Sequence, residues 1–347
     1  MTSSASRNVL ITGGAGFIGV NLAGRMIGAG DNVTIFDNLS RRGADRNLAW
    51  LRDEHQEDFR FIHGDIRDAT AIAEAARGAH VVCHLAAQTA VTTSVTDPRT
   101  DFEVNAIGTF NVLEAARQEG DDPVFIYAST NKVYGGMEDV EVVEQETRHT
   151  YASLLRGVEE SQPLDFYSPY GCSKGAADQY VHDYHRIYGL RTVVFRQSCI
   201  YGPRQMGVED QGWVAWFVIA ALLGRPITIY GDGKQVRDLL YIDDLVGAYQ
   251  GAIEKIETTA GQIYNIGGGA SNTIAIWSEF RPMLARLLQS PGLAAEFGDW
   301  RAGDQKVFFC DTGKAERDFG WAPEVGVEDG VGRLAAWVGE NAHLFQD

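Results

Sequence analysis

The chain has 347 residues, enough for roughly two domains, and its 45% hydrophobic and 22% charged side chains can fill an ordinary globular core. Thirty basic and 47 acidic side chains leave a formal net charge of −17, which disfavours non-specific nucleic-acid binding, since that needs a basic face to displace counterions. No apolar run approaches the ~20 residues of a membrane span, Met1–Arg7 has no signal-peptide core, and the four cysteines (Cys83, Cys172, Cys199, Cys310) form no C-x-x-C pair. The expectation is a cytoplasmic protein with no membrane or nucleic-acid partner, no disulfide framework and no metal site.

In chain order, Asn8–Ile11 reads as a strand, Thr12–Gly19 as a tight turn entering a helix, and Asn32–Asp37 as the next strand. Strand-like runs follow at Phe59–Ile62, Val81–Leu85, Val124–Ala128 and Thr192–Arg196, separated by helical stretches. That alternation predicts an α/β fold, a Rossmann-type doubly wound parallel sheet covered by helices on both faces. Two helices stand out, Phe102–Gln118 and Tyr170–Tyr188. The acidic, weakly periodic stretch Gly136–Pro163 reads as a long surface loop of the kind often used as a lid. Beyond Arg196 the pattern is less regular. Short strands at Ile227–Ile229 and Tyr264–Ile266, aromatic helices and Pro/Gly turns predict a smaller interleaved α/β domain.

Gly13, Gly16 and Gly19 form G-x-x-G-x-x-G between strand and helix. The first glycine permits the turn, the second lets backbone approach a pyrophosphate, and the third lets the helix pack closely on the sheet. Asp37 ends the next strand, 18 residues after Gly19, where a carboxylate can hold the adenosine ribose hydroxyls. That acid favours NAD over NADP, although Arg41 and Arg42 lie just beyond the strand, where arginines can accept a 2′-phosphate. Asp65, Ile66 and the run His84–Ala87 sit at later strand ends, level with adenine and the nicotinamide ribose.

Thr130 ends another strand, and forty residues later comes Tyr170-x-x-x-Lys174. A tyrosine with an ordinary pKa of ~10 is a poor base at neutral pH. Lys174, one helical turn away on the same face, is expected to lower that pKa by favouring the phenolate. Thr130 can orient the reacting hydroxyl. The set suits removal of a hydroxyl proton while hydride leaves the same carbon for NAD.

With these motifs the chain resembles, over essentially its whole length, the extended short-chain dehydrogenases/reductases of the nucleotide-sugar epimerase and dehydratase group. The likeness includes Asn105 with Gly108-Thr109, Tyr201–Gln205, Gly231–Asp238 and Arg301-Ala302-Gly303-Asp304. Within that group, Ser129–Gly135, Tyr170–Tyr180 and Asp210–Phe217 most resemble 2-epimerases of CDP-sugars. The resemblance implies a tightly bound NAD, regenerated at each turnover. Its site would comprise Gly13, Gly16, Phe17, Ile18, Gly19, Asp37, Asn38, Ser40, Arg41, Asp65, Ile66, Leu85, Ala86, Ala87, Asn105, Ala128, Ser129, Tyr170, Lys174 and Gln197. It further implies a division into residues 1–196 plus about 234–262 for NAD, and about 197–233 plus 263–347 for the nucleotide sugar. The two long helices imply a homodimer or homotetramer built on a four-helix bundle.

Dehydratases and decarboxylases of the group need an extra carboxylate at one or both positions after the threonine. Here those positions hold Asn131 and Lys132. The simpler outcome is oxidation, reorientation of the ketone and return of the same hydride to the opposite face. The expectation is epimerisation at C2 through a 2-keto intermediate, the choice of C2 coming from the resemblance. A C4 epimerase of a UDP-sugar and a catalytically silent NAD-binding regulator are the alternatives.

An acidic protein must meet a nucleoside diphosphate with local arginines. Arg237 and Arg301 match diphosphate-binding positions of the group, and Arg204 lies in the nearby motif. Gln88, Asn131, Lys132 and Gln211 are candidate sugar contacts. Cys199 stands where most members carry a substrate-contacting Asn. Trp213, Trp216 and Phe217 line a pocket or fill the core.

Overall fold

The computed structural model describes residues 6–56, 58–301 and 304–346. Ala302 and Gly303, the centre of the late Arg-Ala-Gly-Asp motif, lie outside the described residues.

A seven-stranded sheet carries the fold. From one edge to the other its strands are Gln262–Ile266, Arg191–Gln197, Val124–Thr130, Val81–His84, Asn8–Thr12, Asn32–Asp37 and Phe59–His63. The Asn8–Thr12 strand pairs in parallel with a neighbour on each side, in the registers Asn8↔Asn32 and Val9↔Val81. Chain order reverses at this strand, and ligands of doubly wound sheets bind at such a switch point. Helices on the sheet bury their apolar stripes, so that Ile72, Val112, Leu113, Phe125, Tyr127 and Val181 share one core.

The chain divides into two compact units, each made of three segments. The first comprises residues 1–130, 168–196 and 246–264; the second comprises 131–167, 197–245 and 265–347. This corrects the expected boundaries in two places. Residues 234–245 join the second unit because Val236–Tyr241 pairs there with Cys199–Tyr201, Thr273–Ala275 and Val307–Phe308. Residues 131–167 also belong to it.

Gly136–Pro163 is therefore not a surface loop. It contains an antiparallel hairpin, Val142–Glu144 with His149–Tyr151, and buries Met137, His149, Tyr151 and Val158. His149 Nε2 lies 2.7 Å from Asp232, and the Tyr151 hydroxyl donates to Val307 O at 2.9 Å. Gly157 has φ +104°, and a Cβ there would lie 2.6 Å from the Cys310 carbonyl carbon, so the segment is pressed onto its own unit. Strands of three residues are too short to show a period, which is why this stretch carries no regular pattern.

Tyr264–Ile266, expected in the smaller domain, is instead the end of the edge strand of the large sheet. The Phe102–Gln118 helix is interrupted: Pro98–Phe102 and Thr109–Glu119 are α-helical, and Glu103–Gly108 between them is a π-helix. A Cβ on Gly108 would stand 2.5 Å from Ile66 Cδ1, so any larger residue there would have to displace the Ile66 side chain.

Phe217 resolves to core packing, whereas Trp213 is half-buried with its indole beside Cys199. Their rings are 5.5 Å apart, and Trp213 lies 5.1 Å from Phe280.

Candidate active site

The glycine turn is built as its spacing implies. Gly13 has φ +69°, and a Cβ there would lie 2.6 Å from the Ala86 nitrogen. On Gly19 a Cβ would meet Gly13 O at 2.3 Å and Gly14 Cα at 2.5 Å. On Gly16 the sole close atom would be Gly13 O at 3.1 Å. The first and third glycines are thus filled by backbone of the fold itself. The second leaves its backbone accessible ahead of the Phe17–Gly28 helix, whose first N–H groups favour an anion.

Asp37 is buried and braces this turn, accepting from Ala15 N at 3.0 Å and Leu39 N at 2.8 Å. Burial raises its pKa, against those two bonds. Asp65, expected near adenine, is held by Arg67 at 2.7 Å and by the Asn38 amide at 2.9 Å. The Arg67 bond, first of all, pulls its carboxyl down to about 2.

The catalytic candidates meet at the end of the Val124–Thr130 strand. Thr130 hydrogen-bonds the Tyr170 phenol. The Ser168–Tyr188 helix carries both Tyr170 and Lys174, which are buried. The Lys174 ammonium donates to Ala128 O at 2.6 Å and lies 4.2 Å from the centre of the Tyr127 ring. Burial pulls the lysine down to about 7, opposed by the charges of Asp178 and Asp101. Burial also pushes the phenol up to about 12, with the Thr130 bond pulling it down and Asp101 pushing it further up. The expectation that Lys174 lowers this pKa is therefore corrected: the ammonium is directed at a carbonyl and a ring face, and desolvation dominates.

Asn105 sits within the π-helix as a buried clamp. Its amide donates to Gln88 O, Asp101 Oδ1 and Ser173 Oγ, each at 3.1 Å, and its oxygen accepts from Gln88 N at 2.9 Å. The Gln88 side chain, expected on the sugar, instead donates to Ala90 O at 2.9 Å and Asp101 at 2.8 Å. His84 bridges Thr12 and Thr109 at 2.7 and 2.9 Å, and burial keeps it neutral with a pKa of about 3.

In the second unit, Lys132, Cys199 and Arg237 come together. Arg237 donates to Asp304 at 2.6 Å and to Gln305 O at 2.7 Å. Lys132 Nζ lies 3.9 Å from the same carboxylate. Burial lowers the Lys132 pKa, Asp304 raises it, and Arg237 lowers it further. Arg301 pairs with Asp210, next to Gln211, at 2.7 Å and stacks 3.9 Å over the Tyr230 ring. Arg204 packs elsewhere: its guanidinium lies 5.5 Å over Trp337.

A family model described as GDP-mannose 4,6 dehydratase matches residues 10–334. The chain belongs to that family. The family likeness runs through the extended short-chain dehydrogenases/reductases, as the motifs implied. The chain is 44% identical over 340 residues to a CDP-paratose 2-epimerase of Salmonella typhi, covering 95% of this chain and 98% of that protein. The crystal structure of a UDP-glucose 4-epimerase from Thermotoga maritima with UDP-glucose superposes with a TM-score of 0.82 at 30% identity, over 96% of this chain and 99% of the other. A dTDP-glucose 4,6-dehydratase from Streptomyces venezuelae with NAD bound gives 0.81 at 31% identity, over 97% and 98%. No helix among the described residues is long and apolar enough to cross a membrane.

Sequence reasoning missed the buried charges behind this family site. Asp178 and Asp101 flank Lys174, and Arg196 pairs with Asp178 at 3.0 Å. A signal was present. Asp178 stands four residues after Lys174 on a helix, and Arg196 ends an apolar strand where a charge needs a partner.

Proposed function

We propose that the protein is an NAD-dependent nucleotide-sugar epimerase that takes a CDP-sugar and inverts C2 through a transient 2-keto sugar. The observation that carries this reading is the Thr130–Tyr170 hydrogen bond with Lys174 one turn on, followed by Asn131-Lys132 in place of a carboxylate. The 44% identity to a CDP-paratose 2-epimerase supports the choice of CDP and of C2.

Gly13 and Gly19 let the turn and the helix close on backbone, and Gly16, the one of the three left accessible ahead of the Phe17–Gly28 helix, suits the approach of a dinucleotide pyrophosphate. Bound there, NAD would supply a hydride acceptor and donor for the sugar carbon and a positive charge that favours the phenolate. Tyr170 takes the hydroxyl proton as the C–O bond becomes a ketone and returns it on reduction. Thr130 orients that oxygen. Lys174 holds the ribose. Arg237 and Arg301 take the diphosphate through their forked donors. The four cysteines, all free, suit a reducing cytoplasm.

The test is CDP-paratose in deuterium oxide, followed by NMR. Inversion at C2 with no solvent deuterium on the carbon is expected. Deuterium at C2 would exclude return of the hydride, and inversion of a UDP-sugar at C4 would replace the substrate assignment.

The same reading includes a homodimer or a dimer of dimers. Phe102, Ile107 and Phe110 on one helical run and Tyr180 and Ile187 on Ser168–Tyr188 are exposed, with Phe110 and Tyr180 in edge contact at 6.4 Å. An apolar patch of this kind marks an interaction face. Phe110→Glu is expected to give a folded monomer by light scattering; an unchanged mass would move the interface elsewhere.

A further inference from the structure

Behind the catalytic turn lies a buried ion pair that touches none of the reacting groups. Asp178 and Arg196 have side chains 0% and 3% exposed. The Arg196 guanidinium donates to both Asp178 oxygens, from Nε and Nη2, each at 3.0 Å. The Ser129 hydroxyl donates to Asp178 Oδ2 at 2.7 Å. Ser129 stands between Ala128, whose carbonyl accepts the Lys174 ammonium at 2.6 Å, and Thr130, which bonds Tyr170. Asp178 itself is one helical turn beyond Lys174 on the same helix.

One carboxylate therefore reaches the catalytic set by two routes. The backbone route runs through Ser129 to the carbonyl and the hydroxyl on either side of it. The electrostatic route runs directly to Lys174. A buried ammonium needs that help, because desolvation favours its neutral form. We propose that Asp178, seated on Arg196, is a positioning residue for the reaction: it fixes the strand end that presents Thr130 and Ala128 O, and it keeps Lys174 in its ammonium form.

The other groups facing Lys174 are accounted for. Asp101, from the Pro98–Phe102 helix, also favours the ammonium. His84 is neutral. Tyr127 presents its ring face. Arg196, paired with Asp178, offsets part of that carboxylate's pull on Lys174. Removing the Asp178 charge leaves Asp101 alone against the desolvation, so the lysine loses its proton at lower pH.

The mechanism in which this matters rests on the epimerase reading, so the primary measurement does not use turnover. The chain has six lysines, few enough to resolve each side chain by NMR after labelling lysine at Cε. Lys174→Arg assigns the resonance. In the full-length protein, the titration midpoint of Lys174 is expected to fall by about one pH unit in Asp178→Asn. Should that variant not fold, Asp178→Leu with Arg196→Met removes both charges at similar volume, and a smaller fall is expected, since the Arg196 cation that disfavours the ammonium goes as well. An unchanged midpoint in a folded variant overturns the electrostatic route.

The backbone route is read by Ser129→Ala, which keeps the charge. It is expected to lower kcat on the CDP-sugar about tenfold, with KM and the Lys174 midpoint unchanged. Wild-type kcat in that variant overturns the route. If wild-type protein turns over no nucleotide sugar, the epimerase reading fails, and the lysine titration still decides this proposal.

Discussion

Tyr170→Phe is expected to lower kcat about a thousandfold, or about 4 kcal/mol of transition-state stabilisation, while KM changes little. The phenol is bonded to Thr130 at the strand end, and it sits a helical turn from the ammonium. Phenylalanine keeps the ring that fills the buried space and deletes only the oxygen. The fold and cofactor binding should therefore persist, visible as an unchanged melting temperature and an unchanged NAD titration. Steady-state kinetics over a range of CDP-sugar concentrations separate the two constants. Turnover within tenfold of wild type would mean that another group moves the proton, and the catalytic assignment would fall with it. A silent regulator predicts the same melting curve but no turnover in either protein.

Gly19→Ala should be strongly damaging to the first unit. Its Cβ would stand 2.3 Å from Gly13 O and 2.5 Å from Gly14 Cα, and both are backbone, so no side chain can swing aside. Relief requires the helix to lift from the turn. Overpacking of this kind costs about 1–3 kcal/mol, which is a fall in melting temperature of about 5 °C for a domain this size. The larger effect is on the ligand. Lifting the helix moves the N–H groups that face the pyrophosphate, so NAD should no longer raise the melting temperature. Gly28→Ala is the internal control. It sits at the end of the same helix with nothing within 4 Å of the added methyl, and should stabilise by about 0.5–1 kcal/mol. Equal melting temperatures for the two variants would remove the packing argument.

The strands of the sheet and the glycine turn were legible because their signals are local. A buried parallel strand is a short apolar run, and a G-x-x-G-x-x-G turn needs its three glycines at fixed places. Asn105 was found by resemblance, but its role was not: the π-helical turn that aims it inward leaves no periodic trace in a six-residue stretch. The hairpin at residues 142–151 escaped for a related reason, since its order comes from His149 on Asp232 and Tyr151 on Val307, contacts made far along the chain. Arg204 illustrates the limit of a motif. Its neighbours match, yet the side chain lies on Trp337, which no local pattern announces. The pKa of Tyr170 went the other way from expectation because pairwise spacing reports charge and says nothing of burial.

The interleaving of the units has a consequence for synthesis. The large sheet takes its edge strand from Gln262–Ile266, and the second unit still needs the segment from residue 265 onward. A chain emerging at about 5–20 residues per second therefore spends roughly 3–14 seconds with its sheet edge open. The exposed edge would be Arg191–Gln197, a strand with no partner yet on that side. Truncations that stop before residue 262 should consequently aggregate rather than yield a smaller folded dinucleotide-binding fragment.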